Sequence, residues 1–279
     1  MQEKKIQSHD GFELNYAVSE SQPGKPWIAL IIPFGLKLSM AKHFFDFFGP
    51  GYNVITWETR SILDSEDRGV TENEFDIENH ILDLRTILTE CPVKKFIMVG
   101  YCSGAGLALA AANRFPQLID DLILVHGEYT MLNDAACTTQ FAMEIDSLLS
   151  LAASDEEHLK LVFEKIKSQR FEESANRPDG IDLPFTELAY LRRYAANYLA
   201  YKDVNFEKLA RFVAHKTLLI SGERDVQANA TSTEKIHELM PNSEVYIDPE
   251  ADHYGILRED SSVMVTIWNY LCVEKSNAA

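Results

Sequence analysis

The reading turns on Val99-Gly100-Tyr101-Cys102-Ser103-Gly104-Ala105-Gly106. An apolar run ends at Gly100 and a helix rich in small residues begins near Ser103, so the segment is a strand-to-helix turn. Gly-x-nucleophile-x-Gly at such a turn is the nucleophile elbow: the turn is tight, neighbouring elements pass close to it, and the middle residue is lifted above the sheet in a strained backbone conformation. The middle residue here is Cys102. Ser103 would need glycines at 101 and 105, where Tyr101 and Ala105 stand. A free cysteine is ordinarily a small buried hydrophobe, and the pentapeptide alone leaves that reading open. A reactive thiol needs a base, and the base needs an acid to orient it.

Outward from the elbow, short apolar runs alternate with helical patterns. Trp27–Pro33, Asn53–Glu58, Lys95–Gly100, Leu122–Gly127, Thr217–Gly222 and Glu244–Ile247 read as buried strands, since a parallel sheet covered on both faces shows continuous apolar runs. Ala41–Phe48, Glu74–Thr89, Ser103–Arg114, Thr231–Met240 and Ser261–Leu271 carry helical spacing. In the second of these, Phe75, Ile77, Ile81, Leu84 and Leu88 form one apolar stripe. Two alternating segments at the start, Lys5–His9 and Phe12–Ser19, flank Asp10-Gly11 and predict a hairpin with a two-residue turn. The sum is an α/β fold with a mostly parallel eight-stranded sheet. The alternation breaks between Gly127 and Thr217, where helices follow one another without a strand. Ser154-Asp155-Glu156-Glu157 looks like a helix start, Ser174–Pro184 like a loop, and Phe185–Tyr201 like an aromatic helix. Residues 1–127 and 212–279 are therefore expected to form the core, and 128–211 a helical lid over the carboxyl ends of the strands.

Composition narrows the function classes. Apolar residues make up 46% and charged residues 25%, which excludes a disordered, collagen-like or disulfide-scaffold chain. The 43 acidic against 26 basic residues give a net charge of −17, which repels phosphate backbones and anionic membrane surfaces. No nucleic-acid or membrane partner is expected; the balance leaves the oligomeric state open. Cysteines stand at 91, 102, 137 and 272 with no CxxC pair or metal-like cluster. The polar start, Met1-Gln2-Glu3-Lys4-Lys5, and the want of a long apolar stretch lead to the expectation of a cytoplasmic chain with reduced thiols.

A base and an acid follow in the order the elbow requires. Ser221-Gly222-Glu223-Arg224-Asp225 places Asp225 after the next-to-last strand, and Pro249-Glu250-Ala251-Asp252-His253-Tyr254-Gly255 places His253 after the last. Glu128, after the strand ending at Gly127, is the competing acid; Asp252 adjoins His253 but neighbours in a tight loop rarely face one another. His126 ends a buried strand and reads as a hydrogen-bonded core histidine. With these residues in place, the sequence resembles the α/β-hydrolase superfamily from Lys5 to Leu271. The resemblance implies Cys102 as nucleophile, Asp225 as orienting acid and His253 as general base, with no metal and no organic cofactor.

In such proteins two backbone N–H groups form an oxyanion hole. Ser103, after the nucleophile, would supply one. Pro33-Phe34-Gly35-Leu36 stands where relatives carry His-Gly, which puts the other at Leu36, or at Gly35 if the alignment shifts by one. Phe34, Tyr101 and Tyr194 are the candidate substrate contacts. Trp57-Glu58-Thr59-Arg60-Ser61 departs from the Asp-x-Arg-Gly-x-Gly-x-Ser pattern of relatives; only Arg60 and the later Ser65 have counterparts, and Arg60 reads as a structural salt bridge.

A thiol of pKa near ~8.5 yields thiolate to an imidazole far more readily than a hydroxyl yields alkoxide. Thiolate exchanges acyl groups with thioesters at nearly balanced energy, whereas its adduct with an amide tends to collapse backwards. The expectation is a hydrolase or acyltransferase acting on an acyl thioester, activated ester or lactone through a Cys102 acyl-enzyme. The expected partner is a small-molecule acyl substrate of open chain length, for which coenzyme A or a carrier protein is the candidate carrier. Phe185, Leu188, Leu191, Tyr194, Tyr198 and Leu199 suit an apolar acyl group, although any one of them more often packs a lid onto a sheet. Arg192 and Arg193 would reach a phosphopantetheine phosphate or form a solvated face. A lactone hydrolase of the dienelactone type and a non-catalytic ligand-binding or sensing relative are the alternatives.

Overall fold

The computed structural model describes residues 1–64, 69–168 and 177–277. Ser65 and the start of the expected Ser174–Pro184 loop lie outside the described residues. In chain order the elements are β1 (Gln2–Gln7), β2 (Glu13–Val18), β3 (Trp27–Ile31), α1 (Lys42–Phe48), β4 (Asn53–Trp57) and α2 (Ile77–Leu88). Then come β5 (Phe96–Tyr101), α3 (Ser103–Arg114), β6 (Ile119–Val125), α4 (Gln140–Ala152), α5 (Glu156–Ser168), α6 (Leu188–Lys202) and α7 (Phe206–Ala210). The chain closes with β7 (Lys216–Gly222), α8 (Ala230–Leu239), β8 (Ser243–Asp248) and α9 (Ser262–Asn277).

The strands form one eight-stranded sheet in the order β1-β2-β4-β3-β5-β6-β7-β8. β2 pairs antiparallel with β1 and with β4, and every other pairing is parallel. The β1–β2 hairpin differs in one detail from its sequence reading. Ser8 pairs with Phe12, and Gly11 N–H donates to Ser8 O at 3.0 Å, so the loop is His9–Gly11 with Gly11 at a φ of 86°. The glycine takes the left-handed position that ends a longer turn with a bulge, instead of sitting inside a two-residue turn.

Alternation along each central strand divides the core. On β3, Ala29 and Ile31 face the layer containing α2 and α3, while Ile28 and Leu30 face the layer containing α1 and α9. On β5, Phe96 and Met98 join the first layer, and Ile97, Val99 and Tyr101 the second. Both faces are dry, which is why these strands read as unbroken apolar runs. From β3 the chain goes to β4 on one side and later to β5 on the other, so the crevice at the carboxyl ends of β3 and β5 is the topological switch point where open α/β sheets hold ligands.

Helices α4 to α7 interrupt the alternation between β6 and β7. Leu149 and Ala152 of α4, Leu159, Val162 and Ile166 of α5, and Leu191 and Ala195 of α6 bury one another in a small separate core. Local caps start the helices: Thr139 Oγ1 accepts from Ala142 N at 3.0 Å, and Asp155 Oδ1 from His158 N at 2.9 Å. The segment is tied down at its far end. His80 on α2 meets Asn197 on α6 at 2.8 Å, and Phe206 and Ala210 of α7 sit in the same core layer as α3.

Candidate active site

Cys102 stands between β5 and α3 with φ 54° and ψ −121°, a combination that L-residues avoid and that costs about 1–3 kcal/mol. The crowding around it explains the glycines. A Cβ on Gly100 would lie 2.4 Å from Gly104 O, and one on Gly104 would lie 2.2 Å from Ile31 O. The elbow is stitched to its neighbours by Cys102 N–H donating to Val125 O at 2.9 Å and Glu128 N–H donating to Cys102 O at 3.2 Å. It therefore holds the Cys102 thiol at the mouth of the crevice and places Glu128 directly beside it.

The loops after β7 and β8 bring Asp225 and His253 to the same place. His253 Nδ1 meets Asp225 Oδ2 at 2.8 Å, leaving Nε2 as the ring nitrogen that pairs with the Cys102 thiol. Tyr101 Oη donates to His253 O at 2.8 Å and fixes the loop from below. Asp225 is held from all sides. Its Oδ1 accepts Gln227 N at 2.8 Å and Ala228 N at 2.9 Å. His126 Nδ1 lies 3.0 Å from its Oδ2, off the direction of a well-formed hydrogen bond. Burial opposes the charge of Asp225, but the two imidazoles outweigh it and hold the carboxyl well below the usual carboxylate range. Burial likewise disfavours the imidazolium of His253, and the facing Asp225 and Cys102 overcome it, raising its pKa well above the ordinary histidine value. Such an imidazole retains a proton taken from the thiol.

Among the described residues, His126, Asp225 and His253 are the one group of three His, Cys, Asp or Glu side chains close enough to share a metal ion, with ligand atoms within 4.8 Å of one another.

Above the thiol lies a cavity of about 100 Å³. Phe34 and Ser103 form its floor beside Cys102, and Tyr194, Tyr198 and Tyr201 of α6 form its roof. Phe34 and Tyr194 thus sit where a substrate contact was expected. Tyr101 does not. It points into the α1–α9 layer, fully buried, because it continues the face of Ile97 and Val99.

The expected oxyanion donor Leu36 is also corrected. Its N–H donates to Pro33 O at 3.3 Å, closing the Pro33–Leu36 turn, and its side chain is buried in the α1–α9 layer. The loop N–H at the site is that of Phe34, which donates to Ser103 Oγ at 3.1 Å.

The three arginines singled out in the sequence are engaged elsewhere. Arg60 Nε donates to Asp83 at 2.6 Å and Nη1 to Asp10 at 2.6 Å, a buried ion pair away from the thiol. Arg192 pairs with Glu156 at 2.5 Å. Arg193 is buried, against the expectation of a solvated face, and donates to Asp64 O.

An α/β-hydrolase-fold family model matches residues 40–260. The chain belongs to the α/β-hydrolase superfamily. It is 24% identical over 255 residues to an L-allo-isoleucyltransferase of Pseudomonas savastanoi pv. glycinea, covering 90% of this chain and 88% of that one. Among solved structures it resembles a thermophilic esterase of Thermogutta terrifontis at TM-score 0.70 and 19% identity, covering 97% of this chain and 98% of the other. It also resembles an enol-lactonase of Burkholderia xenovorans LB400 at TM-score 0.71 and 18% identity, covering 96% and 100%. The two structures carry the fold alone. The sequence relative adds that an acyltransferase is built on a similar chain, and the family match makes this chain an enzyme of the α/β-hydrolase class.

No helix among the described residues is long and apolar enough to cross a membrane. Sequence reasoning passed over two features of the site. His126 is a fully buried core histidine, as its place at the end of a strand implies, and it also lies against Asp225. Glu128 was weighed only as a rival acid, yet it forms a wall of the cavity. The signal for Glu128 was its position two residues past His126, at a strand's carboxyl end.

Proposed function

We propose that the protein moves acyl groups from thioesters to an acceptor through a covalent thioester on Cys102. The reading rests on one observation: a thiol at the elbow pairs with an imidazole whose other nitrogen is tied to a buried carboxylate. His253 Nε2 takes the Cys102 proton, and the thiolate attacks the carbonyl carbon of the donor thioester. The new C–S bond forms as the carbonyl electrons move onto oxygen, towards the N–H of Ser103 and that of Phe34, which exchanges its contact with Ser103 Oγ for the oxyanion. The carbonyl re-forms, the donor C–S bond breaks, and the donor leaves as a thiol with the proton held by His253. An acceptor then loses its proton to His253 and repeats the sequence in reverse, releasing Cys102.

Cysteine at this position supports thioester chemistry, since donor and enzyme sulfur are equal leaving groups and the exchange is reversible. The relative named for isoleucyl transfer supports transfer over hydrolysis. The inserted helices support it as well: as a lid, they would keep water from the acyl-enzyme until an acceptor with its own binding energy displaces it. The donor thiol is that of coenzyme A or of a carrier protein. Four free cysteines suit a reducing compartment.

A partition experiment tests this. Cys102 is loaded from an acyl thioester, and thiols, amines and alcohols are added at increasing concentration. Transfer predicts an acyl-enzyme that persists in water and discharges to one acceptor class. Free acid as the only product, released as fast as Cys102 is acylated, would overturn transfer and leave a thioesterase; turnover of lactones alone would point to a lactone hydrolase.

A further inference from the structure

The cavity above Cys102 holds one carboxylate and, among the described residues, no lysine or arginine. That carboxylate is Glu128. Its Oε1 accepts the Thr130 N–H at 2.8 Å, and among the described residues its other oxygen has no hydrogen bond. Asp225, the other acid nearby, has four polar neighbours and sits beneath His253, out of the cavity. Around Glu128 stand Tyr194, Tyr198 and Tyr201.

The backbone of Glu128 is fixed as firmly as the elbow itself. Its N–H reaches Cys102 O, and the Tyr201 hydroxyl lies 2.6 Å from Glu128 O and 3.0 Å from Ser103 O, donating to one at a time. A carboxylate is thus held beside the nucleophile, in an aromatic setting that desolvates it, and the one cationic side chain of the cavity among the described residues, His253, is already tied to Asp225. Such a group is protonated or gains from a further positive charge that a ligand supplies.

We propose that Glu128 recognises the α-ammonium group of the acyl donor, so that the substrates of this site are aminoacyl thioesters. The proposal rests on the Cys102 acyl-enzyme reading and names its substrate class. The chemistry fits. In an α-aminoacyl thioester the ammonium is separated from the carbonyl carbon by a single carbon, and Glu128 adjoins the residue that attacks that carbon. Aromatic faces on α6 also suit a cation. A cavity of about 100 Å³ has room for a short branched side chain. Burial pushes the Glu128 carboxyl up to about 7 in spite of the Thr130 N–H and the nearby His253, so a ligand's positive charge would be gained there.

The test compares two N-acetylcysteamine thioesters of one carbon skeleton, valyl and 3-methylbutanoyl, by the rate at which each loads Cys102 of the full chain, read by intact-protein mass. The readout is the ratio of the two rates, which a general loss of activity does not mimic. The wild type should load the valyl group about 10²-fold faster, the scale of a desolvated charge pair. Glu128→Gln, which keeps an acceptor for Thr130 N–H, should bring the ratio close to one, and Glu128→Asp should recover part of it. A wild type that loads both thioesters equally, or a Glu128→Gln variant that keeps the preference, would overturn the proposal while the acyl-enzyme stands. Loading by neither thioester would overturn the acyl-enzyme reading, and the proposal with it.

Discussion

The two carboxylates nearest the thiol live in opposite circumstances. Asp225 lies at the end of β7 among backbone N–H groups and two imidazoles, all supplied by the sheet and its loops. Glu128 lies at the end of β6 with a single backbone N–H, facing side chains from the inserted helix α6. One carboxyl is pulled well below its usual range and the other is pushed up to about 7. Neighbouring strand ends have thus separated two chemically similar groups into an ion fixed for orienting His253 and a group that gains from a partner brought by the ligand. The difference comes from what each loop encloses, because burial is common to both.

Breaking the Asp225 side should have the larger effect. Asp225→Asn removes the charge that fixes the His253 tautomer, and acylation should fall by ~10⁴-fold in single-turnover kinetics. If Glu128→Gln produced that loss and Asp225→Asn did not, the two carboxylates would have been assigned the wrong way round.

On the helical side the effects should be selective and smaller. Tyr194→Ala opens the roof and should shift the preference between short and longer acyl groups by about tenfold, measured as a ratio of kcat/KM values. Equal losses for all acyl lengths would reduce Tyr194 to packing.

The smallest effect expected is on stability. A carboxyl raised from 4.5 to about 7 binds its proton more tightly in the folded state, so stability falls as pH rises from about 4.5 to about 7. Glu128→Gln removes that dependence, and its Tm relative to wild type should be higher at pH 8 than at pH 5. Asp225 has the opposite sign, its contribution being lost only as pH falls below the usual carboxylate range, and so outside this window. An identical difference at both pH values would mean that Glu128 already has a counter-charge.

The same contrast governs what was legible in the sequence. The strands, the elbow, and the loops carrying Asp225 and His253 are visible because each depends on local pattern: an apolar run, a glycine pair, an acid or a histidine just past a strand. Tyr101, expected as a substrate contact, is instead core, a place that its alternation with Ile97 and Val99 on one face of β5 already implies. Leu36 was not legible, because its N–H is consumed by a turn whose closure depends on the conformation of Pro33–Leu36. The place of Glu128 was still less visible. It becomes a cavity wall only when Tyr194, Tyr198 and Tyr201 fold back over it, and no local pattern encodes that approach. Arg193 teaches the same lesson: its partner, the carbonyl of Asp64, lies far away in the chain.

The central claim, that Cys102 carries the acyl group, is tested most directly by trapping. The full chain is mixed with an acyl thioester, quenched in acid, and digested for peptide mass mapping, with Cys102→Ala treated in parallel. The account predicts one added acyl mass, on the peptide containing Cys102, released by hydroxylamine and absent from a Cys102→Ala protein of unchanged secondary structure. Acylation of Ser103 or any other residue, or turnover retained by Cys102→Ala, would contradict it.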